Sequence, residues 1–130
     1  MKNWIRRFGP AIAVMGLIFA ASATPGSDLP KFGGWDIFAK KGGHMMGYAL
    51  LAASYFHVIN NGKKIKLIQF FGAVFLAILY SITDELHQVL TPGRTPSPWD
   101  VCIDATGSIV GLGLWCYIRK RFWDSRKSEA

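Results

Sequence analysis

The sequence predicts an all-α, polytopic membrane protein, a bundle of four transmembrane helices with both termini in the cytoplasm. Three observations support this prediction. Apolar residues make up 51% of only 130 residues, four long apolar runs are separated by polar segments, and basic residues concentrate in alternate segments. A chain of this length is one domain, covering residues 1–130. So high an apolar fraction in so short a chain is typical of membrane proteins.

The four predicted spans cover about residues 8–24, 42–59, 67–82 and 99–118. Each is near the length that a helix needs to cross the hydrocarbon layer of a bilayer. The small residues at the end of the first run would also suit the cleavage site of a signal peptide. Because three further apolar runs follow, we expect the first run to remain as a helix.

Two longer polar segments lie between the spans and are predicted to be loops, Thr24–Lys41 and Ser81–Pro98. Proline and glycine in the first of them break helical structure. This loop also carries Phe32, Trp35 and Phe38, which are suited to the interface between the membrane and water.

The fourth span carries small residues and both cysteines of the chain. Gly107 and Gly111 are spaced for close contact with another helix, either inside the bundle or in a dimer. Cys102 and Cys116 are separated by ~21 Å of helical rise and cannot pair with each other. They are predicted to be buried thiols.

The orientation follows from the distribution of lysine and arginine, because cytoplasmic segments of membrane proteins are enriched in them. With the N-terminus inside, the outer segments hold four of the fifteen basic residues, namely Lys31, Lys40, Lys41 and Arg94. The net charge of +7 forms no continuous stripe, so it does not indicate nucleic-acid binding.

Polar residues recur at helical spacing near the predicted outer ends of the spans. Residues three or four apart share a helix face. The sets that share a face are Lys40, His44 and Tyr48; Asp84 and Gln88; and Asp100 and Asp104. Arg94 lies between the last two sets, and Glu85 and His87 are expected on other faces of their helix. Polar groups at this depth are costly, so we expect the three sets to form one site.

Asp104 lies inside the fourth span and requires a partner, for which His44, Arg94 and Lys40 are the candidates. Arg94 can bridge carboxylates or contact a ligand. His44 and Tyr48 each have a structural alternative, as a satisfied histidine and as a packing residue.

The stretch DELHQVLTPGRTPSPWDVCIDATGSIVG resembles the VanZ-like family of small bacterial membrane proteins, whose motif combines Asp-Glu-x-x-Gln, Pro-Gly-Arg, Asp-x-x-x-Asn and paired glycines. The matching positions are Asp84, Glu85, Gln88, Pro92, Gly93, Arg94, Asp100, Asp104, Gly107 and Gly111. An earlier element, Lys-x-x-His-x-x-x-Tyr, matches Lys41, His44 and Tyr48. The resemblance covers about residues 8–118.

Two details concern this match. The family most often has asparagine where this chain has Asp104, which adds an ionisable group to the site. The family pattern selects Lys41, whereas helical spacing to His44 favours Lys40.

The resemblance implies a location in the bacterial cytoplasmic membrane, and the founding member of the family is associated with low-level resistance to teicoplanin. One hypothesis is an enzyme that acts on a lipid-linked or other anionic cell-envelope substrate at the outer leaflet. Its catalytic residues would be His44, Asp84, Glu85 and Asp104. The substrate-binding residues would be Lys41, Tyr48, Gln88, Arg94 and Asp100.

The residues leave two alternatives open. Zinc or manganese ligands are available in this region, namely His44, Asp84, Glu85, His87 and Asp104, although their spacing is not diagnostic. In the second alternative the protein is not catalytic and instead binds a lipid headgroup or shields an envelope precursor. The residues involved would be Arg94, Lys41 and the aromatic residues Trp35, Phe38 and Trp99. The partners in either case are membrane lipids or a lipid-linked envelope precursor. Transport is less favoured, because no repeat of broken helices is present.

Overall fold

The computed structural model describes residues 2–30 and 33–128, with the side chains of residues 3–30 and 33–122. Within these residues the chain forms four α-helices and two short 3-10 turns. In chain order the elements are α1 (Lys2–Ala23), the turns Gly26–Asp28 and Gly33–Trp35, α2 (Asp36–Asn60), α3 (Leu67–Gln88) and α4 (Pro98–Ser128). The expectations for Lys31 and Phe32 fall outside the described residues.

Three of the helices are long and apolar enough to cross a membrane. The qualifying segments are Asn3–Ala23, Leu67–Gln88 and Pro98–Phe122. α2 is long enough but more polar, because its first half carries His44 and several glycines. The all-α fold class is therefore confirmed, together with three helices of membrane-spanning character.

α2 lies at the centre of the bundle and packs against each of the other three helices. The apolar core comes from α2, α3 and α4, and its fully buried members include Phe56, Ala77 and Leu112. The opposite faces of the helices expose large apolar side chains such as Leu17, Phe75 and Leu114. An apolar exterior of this extent is the pattern expected of helices that face lipid.

The contact between α2 and α4 depends on two glycines of α4. A Cβ atom added to Gly107 would overlap the carbonyl oxygen of Met45, and one added to Gly111 would overlap the side chain of Ala49. The absence of side chains at these positions lets the two helix backbones approach closely. Of the two roles considered for this glycine pair, the structure shows packing inside the bundle.

The two ends of the bundle differ in charge. At one end, Arg7 donates two hydrogen bonds to the carbonyl of Val58 (3.2 and 3.0 Å), and Arg119 donates to the buried Asn60 (3.0 Å). This basic end also includes the lysine-rich turn after α2. The other end, which we call the site end, carries His44, the acidic residues of α3 and the start of α4.

Two predicted boundaries were wrong. α3 continues to Gln88, so residues 81–88 are helical and not part of a loop, because no helix-breaking residue occurs before Pro92. α2 begins at Asp36, several residues before the predicted span. In both places a polar helix end was mistaken for a loop.

The cysteines are unpaired, as predicted, but only one of them is shielded. Cys116 is partly buried and Cys102 is exposed. Cys102 lies on the outward face of α4, since Asp104 two residues later points into the bundle. The prediction of a buried thiol was therefore wrong for Cys102.

Substitution of Gly107 by alanine should destabilise the protein, since the new methyl group would meet the backbone of Met45. Overpacking of this kind costs about 1–3 kcal/mol. Thermal unfolding in detergent would measure the loss. Gly113→Ala is the matched control, because its new methyl group would meet no atom within 4 Å apart from the backbone of its own helix and its chain neighbours. Equal melting temperatures for the two variants would contradict the packing role of Gly107.

Candidate functional site

All four helices contribute polar side chains to the site end. Those that are at least nine-tenths buried are Ser22 of α1, Tyr48 of α2, Ser81, Asp84, Glu85 and Gln88 of α3, and Asp104 and Ser108 of α4. His44 joins them with a side chain that is 23% exposed. Buried polar groups must find partners inside the protein, so their pairing describes the site.

Asp104 is the most enclosed carboxylate of the site, with a side chain 1% exposed. Ser81 donates a hydrogen bond of 2.6 Å to its Oδ2 atom. Its other oxygen, Oδ1, lies 3.4 Å from Nδ1 of His44. His44 is therefore the partner of Asp104 among the three candidates, and Ser81 supplies a second partner from α3.

A second carboxylate cluster occupies the last turn of α3. Asp84 accepts hydrogen bonds at Oδ2 from Ser22 (2.8 Å) and from the Gln88 amide (3.1 Å). Glu85 accepts from the backbone N–H of Ser97 at 2.9 Å. These bonds tie α3 to α1 and to the loop before α4.

The position of Glu85 contradicts the prediction from helical spacing, which placed Glu85 and Asp84 on different faces of α3. Both carboxylates are buried, and the Gln88 amide also lies 3.5 Å from Glu85. The end of α3 is enclosed on two sides, so adjacent helix faces both point inward. His87, in contrast, stacks on Phe19 of α1, with 4.6 Å between the ring centroids.

Several buried polar atoms of the described residues have no hydrogen-bond partner. At the site they are Nδ1 of His44, Oδ1 of Asp104 and the hydroxyl of Tyr48. The rings of His44 and Tyr48 are stacked, with centroids 6.4 Å apart. Unsatisfied buried polar atoms are rare in proteins, and a group of them indicates a place where a ligand or water completes the bonding.

Arg94 contacts backbone and not carboxylates. Its guanidinium donates to the carbonyl of Thr24 at 3.1 Å and to that of Ala21, at the C-terminal end of α1. The carbonyls at that end have no partners within the helix, and a cation there is favourable. Of the two alternatives considered for Arg94, a bridge between carboxylates is not formed within the described part of the chain, and Arg94 fixes the end of α1.

Lys41 forms an ion pair with Asp100, 2.7 Å between Nζ and Oδ1. This pair connects the start of α2 to the start of α4. Of the two lysines considered, Lys41 is the one with this contact, whereas Lys40 lines the open groove beside it.

Two cavities adjoin the buried cluster. The first, which we call the mouth groove, is open and has a volume of about 290 Å³. Its lining includes Lys40, Lys41, His44, Gln88, Arg94 and Asp100. A smaller cavity of about 80 Å³ is lined by Ser22, His44, Tyr48 and Arg94 among others. His44 borders both cavities, so it connects the buried carboxylates with the exterior.

Three side chains are close enough together to share a metal ion. One ligand atom each from His44, Glu85 and Asp104 lies within 4.8 Å of the others. Among the described residues, Asp84 and His87 do not belong to this group, although the sequence offered them as ligands.

Sequence reasoning missed the serines of the site. Ser81 lies one helical turn before Asp84 on α3, so its spacing could have identified it. Ser22 lies in a run of small residues on α1 and gives no signal of its own. The N–H of Ser97 is a backbone group, which no residue pattern reveals.

The aromatic residues considered for the binding or shielding role are exposed. Trp35 and Phe38 contact each other at 5.8 Å between ring centroids, and Trp99 is 75% exposed at the start of α4. All three lie at the site end, on α2, α4 and the turn before α2.

Replacement of Arg94 by lysine should loosen the end of α1, because one ammonium group cannot reproduce the two bonds of the guanidinium. Hydrogen bonds to a charged group contribute roughly 1.5–3 kcal/mol each. We expect faster hydrogen–deuterium exchange around residues 18–26, with Lys40→Ala as the control. Unchanged exchange in Arg94→Lys would show that the guanidinium does not hold this helix end.

Comparison with known proteins places these features in one family. The family model VanZ/LLP1 matches residues 8–119, which include every residue of the site. Neither the comparison with curated proteins nor that with solved structures found a match. Because the family match covers most of the chain, including all four helices, the chain belongs to the VanZ/LLP1 family.

Proposed function

We propose that the protein is a membrane enzyme that acts on an anionic, lipid-linked substrate of the cell envelope, with its site at the outer leaflet. The observation that supports this most directly is the pairing of His44 with the buried Asp104 at 3.4 Å, beside a groove open to the exterior. Histidine and carboxylate side chains within reach of a substrate are the usual agents of general acid–base catalysis.

The proposed roles follow from position. His44 borders the mouth groove and exchanges protons with the substrate, while Asp104 holds its ring from behind. Asp84 and Glu85 supply further carboxylates. Lys41 and Arg94 line the groove and attract a phosphate or another anionic group. A lipid-linked phosphate or a glycan ester would suit this set of groups.

The proposed topology has four spans in the bacterial cytoplasmic membrane, with α2 as the polar central span and both termini in the cytoplasm. The gathering of Arg7, Arg119 and the lysine-rich turn at one end supports it, since basic segments remain inside. The proposal also retains α1 as a span. Loss of α1 would remove Ser22 and the carbonyls that Arg94 contacts.

If the site is catalytic, His44→Ala and Asp84→Asn should each abolish function while the fold is retained. Teicoplanin susceptibility of an expressing host is the first functional readout, because of the resistance associated with the founding member of the family. Native mass spectrometry of co-purified lipids is the second, and a catalytic variant should keep its bound lipid. His57→Ala is the matched control, since His57 is exposed near the basic end of the same helix. Full function in His44→Ala would refute acid–base catalysis.

A second candidate is a binding or shielding protein without chemistry, favoured by the cationic lining of the mouth groove. In that case Lys41→Ala should weaken headgroup binding and function together, and Asp84→Asn should be tolerated. Because Lys41 also forms the ion pair with Asp100, Asp100→Asn is the control: it breaks the same ion pair but keeps the lysine. Lipid binding by the purified variants, measured alongside susceptibility, separates the two candidates.

A further inference from the structure

We propose that His44, Glu85 and Asp104 bind one divalent transition-metal ion, zinc or manganese. The inference deepens the function proposed above and rests on it for the use of the ion, although binding itself depends only on the three side chains. They come from three different helices, α2, α3 and α4, so the folded bundle assembles the ligand set.

The distance between the two best-defined ligands suits coordination. Two ligand atoms held about 2.1 Å from a tetrahedral ion lie ~3.4 Å apart. Nδ1 of His44 and Oδ1 of Asp104 are 3.4 Å apart. One ligand atom of Glu85 lies within 4.8 Å of a ligand atom of each of the other two residues, so the three side chains are close enough for one ion to contact all of them.

The unsatisfied atoms of the site support the same conclusion. Nδ1 of His44 and Oδ1 of Asp104 face each other, yet neither makes a hydrogen bond of acceptable geometry. Asp104 is almost fully buried, so water does not compensate it from the exterior. An ion between the two atoms would accept a lone pair from Nδ1 of His44 and another from Oδ1 of Asp104. No direct hydrogen bond between them takes its place.

The carboxylates of Asp104 and Glu85 each accept a hydrogen bond from a neighbouring group, as the carboxylate ligands of metal ions usually do. Ser81 bonds Oδ2 of Asp104 at 2.6 Å, which leaves Oδ1 for the ion. The N–H of Ser97 bonds Oε2 of Glu85 at 2.9 Å. Hydrogen bonds of this kind to a ligating carboxylate orient the ligand and raise metal affinity.

The identity of the ion follows from the ligand types. One imidazole and two carboxylates suit zinc and manganese, whereas magnesium and calcium prefer oxygen ligands alone. Asp84 and His87 lie outside the group whose ligand atoms are within 4.8 Å of one another. Among the residues that the structure describes, the set therefore has three protein ligands.

Three protein ligands leave a coordination position for water or substrate, which is the pattern of catalytic and not of structural metal sites. The cavity of about 80 Å³ beside His44 has room for such a water. A bound divalent ion would supply an activated water and stabilise negative charge on a substrate oxygen. With His44 as a ligand, that water would take the proton-exchanging role assigned to His44 above.

The test is metal content and metal titration of the full-length protein in detergent. We expect about one zinc or manganese per chain by elemental analysis, or a Mn²⁺ titration that saturates at one ion by electron paramagnetic resonance. Glu85→Gln and Asp104→Asn should lose the ion. Asp28→Asn is the matched control, since this exposed aspartate lies outside the cluster, and it should bind as the unsubstituted chain does.

If Glu85→Gln and Asp104→Asn prevent folding, a milder variant can be tested. Ser81→Ala removes only the hydrogen bond to Asp104 and should lower Mn²⁺ affinity by ~10–100-fold. Absence of co-purified metal, together with no saturable titration by Mn²⁺ or Zn²⁺ in the unsubstituted protein, would overturn the inference. Binding that is unaffected in Asp104→Asn would also overturn it.

These results separate the two proposals. If the ion binds as described but His44→Ala retains full function in the host, the metal site stands and the catalytic function fails. If no ion binds but His44→Ala and Asp84→Asn still abolish function, the metal site fails and metal-independent acid–base catalysis remains.

Discussion

The arrangement of the site end depends on the burial of the Asp104 carboxylate inside a bundle with an apolar exterior. A charge in this position is costly unless other groups compensate it. Compensation requires His44 from α2 and Ser81 from α3, so three helices must meet at one point. The need to satisfy this single group therefore defines the relative position of the helices that form the site.

The loops at the site end depend on one another in a similar way. Gly26 donates a backbone hydrogen bond of 3.0 Å to Pro92, and a Cβ atom on Gly26 would overlap the carbonyl oxygen of Gly93. Arg94 adds its contacts to the end of α1. Two segments that look independent in the sequence are thus held together at the site end.

Apolar length predicted the all-α class, and helical spacing identified most of the site, because both depend on patterns along one chain segment. Helical spacing could not decide which of three candidate residues pairs with Asp104, because it gives no distance between side chains on different helices. The role of Arg94 was missed because its acceptors are backbone carbonyls, which carry no sequence signature. Glu85 was placed on the wrong face because helical spacing implies one buried face per helix, whereas the end of α3 is covered from two sides.

The close contact between Gly107 and Met45 has a consequence for the precision of the site. Met45 is adjacent to His44, and Gly107 follows Asp104 by three residues, so this contact lies within a turn of both ionisable groups. The spacing of His44 and Asp104 is consequently set by backbone against backbone. Apolar side chains on the exposed faces of the helices lie outside this contact, so substitutions there should alter the spacing of His44 and Asp104 less than a substitution of Gly107 would.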